Sequence, residues 1–401
     1  RTTLGFVLNP SDGRVDYRGI DEAQFRPEFD AVWTGASKRS DQGWSCEFRL
    51  PWGSLELDPA NLPSRIGLNL SRDHPRRNAT YDWALMPPPF TPVSASLYGD
   101  LRGFADAKEA LRAAGVKPRI VNDWYLLAYG LGGFSSEPSG EEDTRADVYD
   151  PLYNGGLDAA VDFGDVRVDL TLNTDFAQVE LDNQVANLSR FSLFMPEKRD
   201  FFLSNMELFT FGQRGRNQIL HTRRIGLDGG NEVPLLTGAK LSSQADDVFR
   251  MGVLQVTTRP TDEVPWTSHT VGRGQFELGG GSNLGFMLTH RQALDQIEDR
   301  NVVVGVDGAW RGDGTPMLVT GFAALSETSS LGEAARLGAL GSVKLKWRGE
   351  VVRPELRYTF VHEDFEADLG YVQRTNVHML KPELEFEPRP KAHGLEKIRI
   401  C

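Results

Sequence analysis

Apolar residues recur at every second position through much of the C-terminal part of the chain. In Val343-Lys344-Leu345-Lys346-Trp347-Arg348 they alternate with cations, and Val352 to Phe360 (VRPELRYTF) repeats the arrangement. Pro382 to Glu387 does the same with carboxylates. A strand turns successive side chains to opposite faces, so each segment has one apolar face and one charged face. These segments run to about 9–11 residues, the length a tilted strand needs to cross a bilayer. Trp310, Trp347, Tyr358, Phe360 and Tyr371 fall near predicted strand ends, where a membrane barrel carries its aromatic girdle. A large soluble β-domain would alternate in the same way, so this pattern alone leaves both architectures open.

The N-terminal part predicts shorter strands. Trp44-Ser45-Cys46-Glu47-Phe48-Arg49-Leu50 stops at Pro51, Arg65 to Leu70 follows, and Arg72 to Arg77 is a basic loop. Met86-Pro87-Pro88-Pro89 reads as an extended connection. Residues 1–105 therefore read as part of a β-sandwich, with Trp44 and Cys46 buried on the same face as Phe48 and Leu50. Asp106 to Gly115 (DAKEALRAAG) predicts a short helix stopped by Gly115 and Pro118, which makes 106–118 a linker. Residues 119–401 then form the barrel domain. Within it Asn173 to Gly226 loses the alternation and mixes Phe with charge, which predicts a plug-like insertion at about 173–226. Glu137 to Asp147 reads as a solvated acidic loop. The predicted class is all-β: an incomplete N-terminal sandwich, then a large, incomplete antiparallel barrel of the outer-membrane type.

Composition narrows the field. A net charge of -12 and a pI near 5.2 argue against nucleic acid, whose phosphates require excess Lys and Arg. No apolar stretch reaches the ~18 residues of a spanning helix. Cys46 and Cys401 give no disulfide framework. The chain opens at Arg1 without a signal peptide and ends in a strand-like segment, which predicts an internal fragment of a longer protein. The 7 His are scattered, without HExxH or paired spacing, so neither metal nor cofactor is expected. A structural Ca²⁺ in an Asp/Asn-rich turn is the one exception left open.

Trp33 and Trp83 offer ring faces that match the apolar face of a sugar, and Arg72, His74 and Arg76 offer hydrogen bonds to it. Packing for the two Trp, and simple solvation for the loop, fit as well. Asp175, Glu180, Asp182 and Glu197 are numerous enough for a glycosidase pair. Glu197, however, is followed by Lys198 and Arg199, which lower a carboxyl pKa when a general acid needs it raised. No catalytic residue is assigned. Arg223 and Arg224 either meet an anionic substrate or neutralise Glu180 and Asp182.

One block is distinctive: NTDFAQVELDNQVANLSRFSLFMPEKRDFFLSNMELF, Asn173 to Phe209. Its Asp175-Phe176, Gln178-Val179-Glu180, Asp182, Pro196-Glu197-Lys198-Arg199 and Phe201-Phe202 resemble the signature of a bacterial family described as domain of unknown function 5916. Arg223-Arg224-Ile225-Gly226 and Asp368-Leu369-Gly370-Tyr371-Val372-Gln373-Arg374 extend the likeness. Thr174 and Asp200 stand where the family usually has Pro, Ser204-Asn205 replaces an acidic residue plus Gly, and His221-Thr222 replaces a Tyr/Ser pair. The resemblance implies a carbohydrate-binding family 9-like domain before an outer-membrane barrel. Asp30-Ala31-Val32-Trp33, Gly43-Trp44, Gly67-Leu68-Asn69 and Trp83 look like the first of these.

The function it implies is glycan binding or transport at the surface of a Gram-negative bacterium. Lipid would surround the barrel, and the sandwich would lie in the periplasm or outside the cell. Two other readings stay open: an O-glycosyl hydrolase targeted to polysaccharide, and a structural or assembly protein of the outer membrane.

Overall fold

In the computed structural model the chain divides into two compact units, Arg1–Val121 and Asn122–Cys401. The structure describes residues 2–20, 24–26, 31, 33–41, 43–50, 55, 65–86, 92–103, 124–137, 148–163, 166–173, 194–228, 231–243, 248–262, 264–279, 281–312, 315–349 and 351–386. The helix expected at 106–115, the prolines at 87–89 and all but the first residue of the acidic 137–147 stretch lie outside them.

In the first unit β1 (Thr2–Leu8), β2 (Arg14–Ile20) and β3 (Gln24–Arg26) form an antiparallel sheet. Three antiparallel pairs accompany it: β4 (Thr34–Ser40) with β5 (Gly43–Arg49), β7 (Ser71–His74) with β8 (Ala79–Asp82), and β6 (Arg65–Leu68) with β9 (Gly99–Arg102). Trp33 is buried between an edge-on Phe6 and a stacked Phe48. The expected burial of Trp44 and Cys46 is not found. Cys46 is exposed, Phe48 is 43% exposed, and Trp44 is half-buried beneath the guanidinium of Arg72. Alternation assigns side chains to a common face; it does not supply an element to cover that face.

The second unit is dominated by one 12-stranded antiparallel sheet. Its strands are β10 (Trp124–Glu137), β11 (Val148–Phe163), β12 (Val166–Leu172), β16 (Leu235–Ser243), β17 (Phe249–Thr258), β18 (Thr267–Gly279), β19 (Ser282–Ala293), β20 (Arg300–Arg311), β21 (Met317–Ser329), β22 (Arg336–Trp347), β23 (Val352–Val361) and β25 (Val377–Phe386). Neighbours in sequence are neighbours in the sheet, and among the described residues β10 and β25 are unjoined edges.

Burial along these strands is the reverse of a soluble protein's. On β19 the outward Leu284, Phe286 and Leu288 are 51%, 48% and 40% exposed, while Met287 and Thr289, at alternate positions, are 2% and 0% exposed. Val253, Val304, Val306, Leu325, Val343, Leu345, Leu356, Leu380 and Leu384 are exposed likewise. The buried face carries His269, Arg273, Asn301, Ser326, Ser342, Arg353 and Thr359. An apolar belt runs through it: Leu254, Val256, Val271, Met287, Val303, Ala324, Leu340 and Val361.

That belt packs on two connections that fold inward. The β12–β16 connection contributes Phe201, Phe202, Leu208, Phe209, Phe211, Ile219 and Ile225; the β23–β25 connection contributes Phe365, Ala367 and Leu369. The two pair with each other, β13 (Asn217–Gln218) against β24 (Tyr371–Val372). The sheet thus curls around a plug. Counting alternate strand directions, both connections leave the sheet from the same end. Tyr371, expected in an aromatic girdle, is instead buried in this plug against Phe194. At the opposite end Phe163, Phe276, Trp310, Trp347 and Phe386 remain exposed.

Glycines on the wall make room for the plug. A Cβ on Gly252 or Gly305 would lie 2.6 Å from the ring of Phe209 or Phe211, and one on Gly338 would lie 2.2 Å from the Cα of Phe365. Gly338 meets backbone, which cannot swing aside. Gly338→Ala is therefore expected to lower the free energy of unfolding by roughly 1–3 kcal/mol, seen as a lower unfolding midpoint. Gly272→Ala, whose Cβ would meet nothing within 4 Å, should stay within about 0.5 kcal/mol. Equal midpoints for the two variants would refute the seating.

Candidate functional site

The plug is organised by a buried ion pair. Arg199 donates from Nε to Glu197 Oε1 at 2.8 Å and from Nη2 to Oε2 at 2.7 Å. Its remaining donors reach the carbonyls of Ile225 at 2.9 Å and Thr222 at 2.7 Å, and its guanidinium lies 4.1 Å from the centre of the Phe202 ring. Glu197 Oε1 also accepts the backbone N–H groups of Lys198 and Arg199. Burial alone would raise the Glu197 carboxyl, but the adjacent guanidinium and these hydrogen bonds outweigh it and hold the pKa below the usual carboxylate range. The pair ties the Pro196–Arg199 turn to the Thr222–Ile225 turn. It is a clasp, and the carboxyl has no proton to give as a general acid.

Other wall residues hold the plug. Lys240, buried on β16, donates to the carbonyl of Phe201 and to both oxygens of Ser204, and Asn205 Nδ2 donates to Ser242 Oγ at 2.7 Å. Asn205 has φ +49°, a left-handed backbone that Gly and Asn adopt most readily, consistent with its place where the resembling family has Gly. Arg273 joins three elements: Nε donates to Leu208 O at 3.1 Å, and Nη2 to Asp307 Oδ2 at 2.9 Å. Arg291 reaches Asp299 and Asp368, while Asn301 donates to Glu366 O and accepts from Asp368 N. Polar residues alternating with apolar ones along their strands were the available signal for Lys240, Arg273 and Asn301.

His221 stacks 4.7 Å from Phe194, and its backbone N–H donates to Leu369 O. Arg223 is half-buried and Arg224 exposed. Asp175, Glu180 and Asp182 lie outside the described residues, so the expected neutralisation by Arg223 and Arg224 has no counterpart among the described residues. His362, Glu363 and Asp364 bring possible metal-ligand atoms within 4.8 Å of one another, but the backbone N–H of Asp364 already donates to His362 Nδ1.

In the first unit Trp33 has no open ring face. Arg72 covers Trp44, His74 is half-buried, and Arg76 is exposed on a 3₁₀ turn, Pro75–Arg77. Trp83 is 59% exposed, and a Cβ on Gly99 would lie 2.5 Å from its ring. The ring thus lies against the bare backbone of Gly99 and is otherwise largely exposed.

Of the block singled out in the sequence, 194–209 lies in the described plug and 174–193 lies outside the described residues. Residues 139–261 match the family model described as Domain of unknown function (DUF5916). No curated protein and no solved structure matches the chain. The DUF5916 match ends just after β17, so the wall from β18 onward and the Asp368–Arg374 motif lie beyond it.

Replacing Arg199 leaves the Glu197 charge buried and unpaired. Arg199→Ala is expected to cost roughly 3–5 kcal/mol in detergent unfolding. Burial lowers the pKa of His221 to about 4, with nearby Arg224 and Arg199 adding to the effect and Glu197 opposing it. The folded state therefore favours neutral imidazole. This contribution is complete above the unfolded pKa near 6.5 and is lost as pH falls from there toward about 4, amounting to roughly 3 kcal/mol. His221→Gln should flatten the stability profile across that window, and an unchanged slope would remove His221 as its source.

Proposed function

We propose that the second unit is a plugged β-barrel segment embedded in an outer membrane, and that the first unit binds glycan there. The observation that carries the membrane half is the reversed burial. Apolar side chains point outward on strand after strand, whereas a soluble monomer rarely exposes a contiguous apolar patch above a few hundred Å². Strands of 10 to 13 residues from β17 to β25 suit a tilted crossing. Exposed Phe163, Phe276, Trp310, Trp347 and Phe386 at one end suit the headgroup level, where aromatic rings partition. No helix of the described residues is long and apolar enough to cross a membrane, and a barrel needs none.

The interior supports gating more than free flow. At the level of the belt it is filled by packed Phe, Leu and Ile, so a polar solute passes only if the plug shifts. The glycan half rests on the seated, half-open ring of Trp83, with exposed Tyr81 nearby in sequence. The hydrolase reading loses Glu197 as a candidate acid.

Phe286→Asp places a charge on the proposed lipid face near mid-strand. It is expected to abolish co-flotation with vesicles and heat-modifiable migration, at a cost of a few kcal/mol in insertion. A protein that stays soluble without detergent, with or without the substitution, would sink the membrane reading. On a glycan array, Trp83→Ala should remove binding by the whole protein; binding that survives it would overturn the role given to this ring.

A further inference from the structure

Between the plug and the wall at β23 and β25 lies a cavity of about 30 Å³, room for roughly two water-sized positions. Four cations line it, Arg216 and Arg374 from the plug and Arg357 and Lys381 from the wall, with Gln213 and Asn217 beside them. The strand register explains why they converge. Lys344 on β22 is directly opposite Arg357 on β23, which is directly opposite Lys381 on β25. All three occupy inward positions. Like charges in direct cross-strand register are destabilising, and three in a row is an arrangement that folding alone disfavours.

Among the described residues, the wall's own carboxylates offset only part of the wall's cationic charge. Glu355 accepts from Arg357 at 2.7 Å and lies 3.5 Å from Lys346, and Glu383 pairs with Lys381 at 2.5 Å. On these two levels of the wall, Lys344, Lys346, Arg357 and Lys381 face Glu355 and Glu383. Among the described residues this part of the wall is thus cationic before the plug adds Arg216, in a protein whose net charge is -12. Arg357 supplies an independent sign. One arm of its guanidinium is committed to Glu355, while Nε is buried and has no acceptor. A buried N–H without an acceptor is costly, and a guanidinium edge is shaped for two oxygens of one anion.

We propose that this cavity binds a small oxyanion of the phosphate class, seated on Arg357 and Lys381 and closed over by Arg216. The bound anion would neutralise the cationic row and bridge plug to wall, so that its release loosens the plug. This site does not depend on the membrane reading, since it follows from the inward face alone.

The test uses the full chain in detergent with inorganic phosphate as the probe, against sodium chloride at equal ionic strength. Phosphate is expected to raise the unfolding midpoint beyond chloride and to give a saturable calorimetric isotherm. The double variant Arg357→Gln/Lys381→Gln should bind phosphate at least about tenfold more weakly. Arg216→Gln, on an exposed plug residue, should weaken binding without disturbing the wall, which keeps the idea testable should the double variant misfold. Stabilisation by phosphate no greater than by chloride, or equal phosphate affinity in wild type and Arg216→Gln, would overturn the proposal. Equal stabilisation by sulfate would extend the site to divalent oxyanions; a phosphate ester binding where inorganic phosphate fails would refute a site for the free ion.

Discussion

A guanidinium taken out of water must find partners for nearly all its donors, and Arg199 does so inside the plug. Two bonds go to Glu197 and two to the carbonyls of Thr222 and Ile225, while Phe202 covers one face of the group. Each partner belongs to a turn that is otherwise poor in regular hydrogen bonds. Because the charge tolerates no looser arrangement, the turns are fixed relative to each other. The aromatic residues that follow in sequence, Phe201 to Phe211, are thereby aimed at the wall. The packing of the whole inner face depends on that aim.

The wall answers with complementary shapes and donors. Glycines at 252, 305 and 338 leave space where plug atoms approach, and Lys240, Arg273, Asn301 and Ser342 reach out where the plug exposes carbonyls or amides. A sheet with apolar residues outward and polar residues inward has no conventional core on either side. The plug gives it one. The same inversion leaves the outer face without any covering element among the described residues.

Much of this was legible along the chain, and the exceptions share a cause. Alternation at Val343–Trp347 identified the strand and its two faces, and the loss of alternation after Asn173 identified the insertion. It could not say whether a face is covered, which is why Cys46 was expected inside and is exposed. Tyr371 was assigned to a girdle because aromatic residues near strand ends look alike, whether they sit in the wall or in a connection that turns inward. Glu197 and Arg199 stood out through their neighbours in sequence. Lys240 and Arg273 did not, since their partners are some 35 to 65 residues away, at Ser204 and Leu208. Cross-strand register, invisible in one dimension, lined up Lys344, Arg357 and Lys381.

The two connections that form the plug both descend from the same rim of the sheet and clasp each other rather than the far rim. Such a plug is hinged on one side only. Force or a ligand applied at that rim can lift both pieces together as one lid, because β13 and β24 move as a pair. Among the described residues no such connection enters from the opposite rim, and there the inner face carries the cations around Arg357 instead. The two ends of the interior are therefore unlike, one closed by a paired hinge and the other lined by charge.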